Sequence, residues 1–254
     1  MPSFLSLFDL QKTASLFKKL RKATPMDFIA LLARPLAKDS SNDPYHLNFR
    51  YFIDEVNRLS HCNILELGSR GGKYRAFLRH WNSYTGFDIY PGEGVDVVGD
   101  IHSLSQYFPH QRFDAVFNIS TFEHLAMPWK AALEINKVMK QHGLLFVATH
   151  PTWPPHMLPW DFWRFSSETF KVLLGPSVGF EIIRCSEGLP CRILPLNTEE
   201  ATRGIYRQTA YMGVSVVARK VAEPAPTLAW DIDVCKELQT LYPAPDHAPS
   251  NPSL

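Results

Sequence analysis

Five short apolar runs alternate with stretches of helical periodicity, and this alternation constrains the fold more than any other feature. The runs occupy 63–67, 83–88, 95–98, 113–119 and 144–149. They are bounded by Gly, Asp or Pro, which is typical of strands buried on both faces. The helical candidates lie near 73–80, 103–108 and 129–140, the last followed by the stop signal His142-Gly143. This order predicts an α/β fold built on βαβ units, with a mainly parallel sheet and helices on both faces.

The segments outside this alternation define the expected domain organisation. Two later apolar runs, 180–183 and 211–218, are expected to complete the sheet as a closing antiparallel pair. The pattern before residue 60 is helical, over 4–22, 26–33 and 45–60, and the chain beyond residue 222 is rich in proline. We therefore expect an N-terminal helical attachment over 1–60, a main domain over 61–222 and a Pro-rich C-terminal tail over 223–254.

Composition excludes several classes of protein. With 26 basic and 25 acidic side chains, the net charge of +1 argues against nucleic acid as a partner. No apolar run approaches the ~18 residues that span a bilayer, and the N-terminus lacks the order of a secretory signal. The four cysteines lack zinc-site spacing. We therefore expect a cytoplasmic protein in a reducing compartment, and the leading interpretation assigns no metal ligand.

The exits of the predicted strands are the places to search for a site, because ligands bind at the carboxyl ends of strands in an open parallel sheet. The first strand leaves as Gly68-Ser69-Arg70-Gly71-Gly72. Glycine allows close approach of backbone to a ligand, and the helix expected next would offer free N–H groups. The loop is not G-x-G-x-x-G, because Arg70 stands at the second glycine, and no phosphate-loop G-K-[ST] follows.

Carboxylates follow the next two strands. Asp88 lies about 20 residues after the glycine loop, where a carboxylate suits the two hydroxyls of a ribose. The third strand leaves as Gly99-Asp100-Ile101, where Asp100 can accept from an exocyclic amine and Ile101 can pack on a flat ring. These residues favour a nucleoside ligand.

Six motifs in the same order resemble the class I S-adenosylmethionine-dependent methyltransferases. They are Ile64-Leu65-Glu66-Leu67-Gly68, Gly86-Phe87-Asp88-Ile89, Gly99-Asp100-Ile101, Phe113-Asp114-Ala115-Val116, Phe122-Glu123-His124-Leu125 and Asn136-Lys137-Val138-Met139-Lys140. The similarity spans about residues 62–185 and is greatest to small-molecule methyltransferases with an E-H-[LV] triplet. It implies a doubly wound, seven-stranded Rossmann-like sheet and S-adenosylmethionine as methyl donor, with S-adenosylhomocysteine as product.

The resemblance also implies roles for individual residues. Glu66 would anchor the glycine loop, Gly68 and Gly72 would approach the methionine part, and Asp88 would hold the ribose. The implied cofactor-binding residues are Glu66, Gly68, Ser69, Gly72, Asp88, Ile89, Asp100, Ile101 and Asn118. Family members usually show G-x-G-x-G, so the bulky Arg70 predicts an unusually shaped loop.

The segment after the fifth strand interleaves prolines with aromatic side chains. It begins with His150-Pro151 and continues to Asp161-Phe162-Trp163-Arg164-Phe165. This is similar to the H-P … D-[FY]-W-R-[FY] stretch of family members found with glycan-assembly enzymes. Aromatic faces stack on the C–H faces of sugars, while polar side chains fix hydroxyls. We therefore predict that His156, Trp160, Trp163 and Arg164 bind a sugar or another small hydroxylated acceptor.

Methyl transfer to a hydroxyl requires positioning of the acceptor and removal of its proton. A neutral imidazole suits this task near pH 7. The catalytic candidates are His150, which is preferred because it opens the predicted acceptor loop, and then His124 and Asp161. The leading hypothesis is therefore an O-methyltransferase that modifies glycans.

Several alternatives stay open at this point. One is a metal-assisted sugar methyltransferase with Asp, Glu or His ligands near strand exits four and five, and another is a degenerate, non-catalytic domain in a glycan-assembly complex. Glu123-His124 can instead cap a helix, and the aromatic loop can simply cover the core. Residues 4–22 mix basic and apolar side chains, which fits either weak contact with a membrane surface or packing on this domain or a second subunit.

Overall fold

The computed structural model describes residues 39–197, 199–228 and 230. The chain divides into two units between Ser40 and Ser41, and the sheet with its covering helices belongs to the second unit. The helices expected over 4–22 and 26–33, and nearly all of the proline-rich tail after residue 228, lie outside the described residues.

Three α-helices and seven strands make up the described fold. The helices are α1 (Pro44–Arg58), α2 (Pro128–Val138) and α3 (Ser167–Leu173). The strands are β1 (Cys62–Leu67), β2 (Trp81–Asp88), β3 (Val97–Val98), β4 (Phe113–Ile119), β5 (Met139–Thr149), β6 (Phe180–Cys191) and β7 (Ala210–Lys220). None of the helices in these ranges is long and apolar enough to cross a membrane.

The strands form one sheet in the order β3-β2-β1-β4-β5-β7-β6. Strands β1 to β5 pair parallel with one another, whereas β7 pairs antiparallel with both β5 and β6. The direction of winding reverses between β1 and β4, which therefore form the switch point where ligands bind in such sheets. The predicted α/β class, the mainly parallel sheet and the closing antiparallel pair are confirmed.

The helix predicted over 73–80 is absent except for one 3-10 turn at Arg75–Phe77. Parallel crossovers with a full helix need a dozen or more residues. Only residues 68–80 join β1 to β2, and the glycine loop uses the first five of them. The connection is therefore too short for both features, and the expected N–H donors of a following α-helix are missing.

Two other predicted elements also differ from the structure. The helix predicted over 103–108 is a 3-10 segment, Ile101–Gln106, broken by a non-helical Ser103. The helix predicted to reach residue 140 ends at Val138, because Met139 already pairs with Phe113 as the first residue of β5. The expected stop signal, His142-Gly143, lies inside β5 instead, in an irregularity of the β4–β5 pairing.

Helix α1 covers one face of the sheet. Phe52 is fully buried there, with its ring centroid 5.6 Å from Phe146 and 5.9 Å from Phe117. Asn48 donates to Ser215 Oγ over 3.1 Å. This helix is the one predicted over 45–60 as part of an N-terminal attachment, and it packs directly on β5, β6 and β7.

The N-cap of α1 also fixes the helix to the sheet. Asp43 Oδ1 accepts from Tyr45 N over 3.0 Å, as an N-cap does. Its other oxygen accepts from Leu189 N in β6 over 2.9 Å. One carboxylate therefore satisfies a free helix donor and holds the start of α1 against the antiparallel end of the sheet.

The opposite face carries the larger apolar cluster, under α2 and α3. Helix α2 contributes fully buried side chains at a spacing of three to four residues, such as Ala131, Ile135 and Val138. They belong to the same apolar cluster as Leu65 and Val116 of the sheet. The hydrophobic spacing predicted for this helix is therefore the spacing that packs on the sheet. With both faces covered, the strands are apolar on both sides.

We expect Phe52→Ala to lower the free energy of unfolding by about 3–5 kcal/mol, because it leaves a cavity between α1 and the sheet. Val172→Ala, at a side chain that is 64% exposed on α3, should change it by less than about 0.5 kcal/mol. Urea unfolding measures both. Equal stability of the two variants would contradict the assignment of α1 as a cover of the core.

Candidate functional site

Glu66 lies near the carboxyl end of β1 and is almost completely buried. Its Oε2 accepts a hydrogen bond from the hydroxyl of Tyr84 on β2. Burial raises the pKa of Glu66 to about 7, against the opposing effect of the Tyr84 hydroxyl, and the nearby Asp88 carboxylate adds to the rise. Glu66 therefore changes charge near neutral pH.

Asp88 ends β2 and connects two loops. Its Oδ2 accepts from Arg70 N in the glycine loop over 3.3 Å, and its Oδ1 accepts from Tyr90 N over 3.0 Å. Ile89 lies between the carboxylate and Tyr90. The structure thus brings Asp88 beside Glu66 and the glycine loop, as predicted from the strand exits, while contact with a ribose stays a prediction.

Gly68 is required by its surroundings. Its φ is +78°, and a Cβ at this position would lie 2.0 Å from Thr121 Oγ1. Its N–H donates to Phe87 O over 2.8 Å. The backbone at Gly68 therefore lies directly against the segment that follows β4. As a result, the exits of β1, β2 and β4 pack on one another.

The glycine loop is braced by the segment that follows β2. Gly71 N donates to Glu93 O over 2.8 Å. Gly94 O lies so close to Gly86 that a Cβ there would be 1.9 Å from the oxygen. Gly86 N in turn donates to Asp96 Oδ2 over 2.7 Å. These contacts hold the loop without the helix that was expected after it.

Arg70 does not fill the loop in which it stands. The side chain is exposed, its Cγ lies against Gly92, and its guanidinium is 5.7 Å from the centre of the Tyr90 ring. The bulky Arg70 side chain, which departs from the family pattern, therefore lies along the loop after β2. Gly72 keeps a positive φ of +58° close to Gly94.

Asp100 and Ile101 start the 3-10 segment after β3. Asp100 Oδ1 accepts from His102 N over 2.9 Å and lies 2.6 Å from His102 Nδ1. Because His102 Nε2 accepts from Met127 N over 3.1 Å, the ring proton is on Nδ1. Ile101 is buried. Contact of Asp100 and Ile101 with an adenine stays a prediction.

Two buried polar atoms at the switch point lack a hydrogen-bond partner among the described residues, Asn118 Oδ1 and Ser69 Oγ. The Asn118 amide donates to Leu67 O over 3.0 Å, so its carbonyl oxygen is oriented but unpaired. Buried polar groups without partners are costly and call for an explanation. A ligand with polar groups of its own, as a nucleoside or amino acid has, fits this pair.

A second group of polar side chains lies where β4 and β5 end. Glu123 is fully buried in a 3-10 turn, Phe122–His124. Its Oε2 accepts from Thr149 Oγ1 over 2.6 Å, and its Oε1 lies 2.9 Å from His150 Nε2. Burial alone would raise the pKa of Glu123, but His150 and the Thr149 hydroxyl hold it below its ordinary value.

Two further histidines adjoin this pair. The His156 ring centre is 4.8 Å from that of His124 and 5.4 Å from that of His150. His124 Nδ1 lies 2.6 Å from Trp160 O, and its Nε2 is 3.8 Å from Glu123 Oε1. Burial lowers the pKa of His124, although Glu123 opposes this. The three predicted histidines therefore converge on one buried carboxylate.

Arg164 folds the acceptor loop. Two of its N–H groups donate to the Asp161 carboxylate over 2.7 and 2.8 Å, and the other three donate to the carbonyl oxygens of Trp153, Pro154 and Trp163. A guanidinium has five donors, so all of them are used within the loop. These contacts show a structural role, and contact with substrate stays a prediction.

Asp161 is held in the same network. Arg164 keeps the pKa of the Asp161 carboxyl well below its usual range, despite partial burial. A carboxylate with such a low pKa is a weak general base near neutral pH. The geometry therefore favours His150 and His124 over Asp161 among the three catalytic candidates.

Aromatic side chains frame the histidines. Trp153 stacks on His150, with ring centres 5.1 Å apart, planes inclined by 28° and 45% of its surface exposed. Trp163 donates its indole N–H to Leu125 O over 2.9 Å. Trp160 contributes its carbonyl oxygen to His124. Part of the Trp153 surface is thus exposed beside His150.

The sequence predicts no site role for Tyr84, Glu123 or Thr149, and it does not predict that Trp153 stacks on His150. Tyr84 shares the face of β2 with Gly86, and strand alternation identifies that face as the one toward Glu66. Glu123 resembles a helix cap in the sequence, and the signal that could have placed it near His150, 27 positions away, is that the two residues follow strands four and five.

Comparisons with known proteins concern the domain and its fold. Residues 65–147, about a third of the chain, match a family model described as a methyltransferase domain. No curated protein sequence matches the chain. A SAM-dependent methyltransferase from Archaeoglobus fulgidus is similar in structure, with a TM-score of 0.53 at 17% identity, over 68% of this chain and 92% of the other.

The YcgJ protein from Bacillus subtilis is similar to the same extent. Its TM-score is 0.53 at 16% identity, over 70% of this chain and 99% of the other. At such identities these similarities establish the fold. The protein has the Rossmann-like fold of class I methyltransferases, as the resemblance implies.

We expect Glu66→Gln to flatten the pH dependence of stability. Because the pKa of Glu66 is raised to about 7 in the folded state, its contribution is complete below about pH 4 and is lost as the pH rises through 7. Glutamine cannot ionise, so the difference from the parent should grow with pH. Urea unfolding between about pH 5 and pH 8 measures it.

Glu93→Gln, at an exposed side chain of the bracing loop, is the matched control and should follow the parent curve. If the Glu66→Gln curve runs parallel to that of the parent over the whole range, Glu66 does not titrate differently in the folded state.

Proposed function

We propose that this protein transfers a methyl group from S-adenosylmethionine to a hydroxyl of a sugar or another small hydroxylated acceptor. One observation carries the proposal. The buried Glu123 and His150 meet at the exits of β4 and β5, and the loops after β1 and β2 meet at the adjoining part of the same sheet edge. A methyl donor and an acceptor would therefore be neighbours at the switch point.

The cofactor would lie at the exits of β1, β2 and β4. S-adenosylmethionine supplies an activated methyl group on a sulfonium, which needs no further activation by the protein. Asp88 would accept from the ribose hydroxyls, and Ser69 and Asn118 carry unpaired buried atoms for its other polar groups. The methyltransferase-domain match over 65–147 includes Asp88 and Asn118 and supports this placement.

The Glu123–His150 pair would remove the proton of the acceptor hydroxyl. Thr149 fixes one oxygen of Glu123, and the other lies 2.9 Å from His150 Nε2. A buried carboxylate in this position stabilises the imidazolium that forms when the ring accepts a proton. The second histidine candidate, His124, lies at 3.8 Å from the same oxygen.

The exposed Trp153 supports a sugar as the acceptor. Its indole is 45% exposed and adjoins His150, so a pyranose that packs against its exposed part would lie beside the histidines. The proposal includes membership of the E-H-[LV] group and association with glycan-assembly enzymes. The loop that Asp161 and Arg164 hold together supports both, because its sequence resembles that of family members found with such enzymes. A screen of sugars and lipid-linked saccharides with labelled methyl donor tests the acceptor class.

Asp88→Ala should weaken the binding of S-adenosylhomocysteine by ~1–3 kcal/mol, or about 5- to 150-fold, through the loss of charge-assisted hydrogen bonds. Calorimetric titration measures the affinity. Asp54→Ala, at an exposed position of α1, is the control and should bind like the parent. An unchanged affinity of Asp88→Ala would remove the ribose assignment.

If the parent protein itself fails to bind S-adenosylhomocysteine at high micromolar concentration, methyl transfer is excluded, and the alternative of a degenerate domain in a glycan-assembly complex takes its place.

His150→Ala should leave cofactor affinity unchanged and lower turnover by ~10²-fold or more, because the group that takes the proton is gone. The measurement is methyl transfer to an acceptor found in the screen. His110→Ala, at an exposed residue before β4 and thus at the other end of the sheet, should keep parental turnover. Undiminished turnover of His150→Ala would move the base to His124.

A further inference from the structure

The proposed acceptor site contains a ligand set for a metal ion. Glu123, His150 and His156 each offer one ligand atom, and these three atoms lie within 4.8 Å of one another. Ligands in adjoining positions around a transition metal lie about 3 Å apart for bonds of about 2.1 Å. The 2.9 Å between Glu123 Oε1 and His150 Nε2 has this spacing.

Two of these atoms are buried and lack other partners. Glu123 Oε1 and His150 Nε2 have no hydrogen-bond partner within the described part of the chain, although they lie at ion-pair distance from each other. Glu123 is fully buried. A metal ion would displace the proton between this buried carboxylate oxygen and this imidazole nitrogen, so both atoms are oriented toward a point where each can bind the ion.

The surrounding groups orient the ligands as outer-shell partners of metal sites do. Thr149 donates to the second oxygen of Glu123. His156 Nδ1 lies 3.2 Å from Pro154 O and 3.4 Å from Asp161 Oδ2, which places the ring proton on Nδ1. The lone pair of His156 is then on Nε2, and Arg164 holds the loop that presents it.

We propose that Glu123, His150 and His156 form a binding site for one divalent first-row transition-metal ion. Two imidazoles and one carboxylate suit zinc, iron or nickel, whereas magnesium and calcium prefer oxygen ligands. Any role of this ion in acceptor binding rests on the proposed function. The claim that the three residues bind an ion does not depend on it. Since a metal ion would take up the Glu123 oxygen that stabilises the imidazolium of His150, the base role of His150 belongs to the metal-free protein.

The test is calorimetric titration of the full chain with Zn²⁺ after removal of metals by a chelator. We expect one Zn²⁺ per chain, with an affinity that falls by about 100-fold or more in Glu123→Gln and His156→Ala. His110→Ala is the control and should bind like the parent. Because Glu123 is buried and its replacement can affect folding, the partly exposed His156 provides a second variant that keeps the fold.

Two results would overturn the proposal. One is that the parent binds no Zn²⁺, and the other is that His156→Ala and Glu123→Gln, shown to be folded by circular dichroism, bind it as tightly as the parent. Titration of the same samples with S-adenosylhomocysteine separates the two hypotheses. A parent protein that binds S-adenosylhomocysteine but no Zn²⁺ removes the metal site alone, whereas a parent that fails to bind S-adenosylhomocysteine removes the methyltransferase activity.

Discussion

The short connection between β1 and β2 is the constraint on which the other features depend. Thirteen positions, 68–80, carry the chain across the sheet, and they hold a glycine loop and one 3-10 turn. No crossover helix of residues 68–80 lies over β1 and β2, and α1 packs on the same sheet face farther along the sheet, where Phe52 contacts Phe117 and Phe146. The glycine loop in turn is braced by the segment after β2, through Glu93 and Gly94. The short connection therefore leaves the candidate cofactor loop without a helix of its own, and contacts with the neighbouring loop determine its shape.

The sheet was predictable from the sequence because its strands are short, apolar and bounded by turn residues. The run over 113–119 matches β4 residue for residue. The predicted helices after β1 and β3 were wrong because periodicity describes a local preference, while the length of the connection decides whether a helix fits. The early end of α2 has a similar cause, since pairing of Met139 with Phe113 outweighs the stop signal at His142-Gly143.

The candidate site divides in the same way. Strand exits placed Glu66, Asp88 and the glycine loop correctly, because the carboxyl ends of neighbouring parallel strands meet at one edge. The meeting of Glu123 with His150 follows from the adjoining exits of β4 and β5, whereas the packing of His156 on His150 was not predictable, since it depends on how a loop of sixteen positions, 150–165, folds back. That fold rests on the five hydrogen bonds of Arg164, a side chain whose sequence pattern pointed to substrate. Long-range loop geometry is therefore what the sequence leaves open.

The position of α1 has a practical consequence for work with shorter versions of the chain. A fragment that begins at β1 would contain every motif of the family match over 65–147. It would nevertheless present the rings of Phe117 and Phe146 to water, together with the hydroxyl of Ser215. A continuous apolar area of this kind promotes self-association. Such a fragment should aggregate on expression, and a soluble version should start before Asp43, the residue that fixes the first turn of α1 to β6.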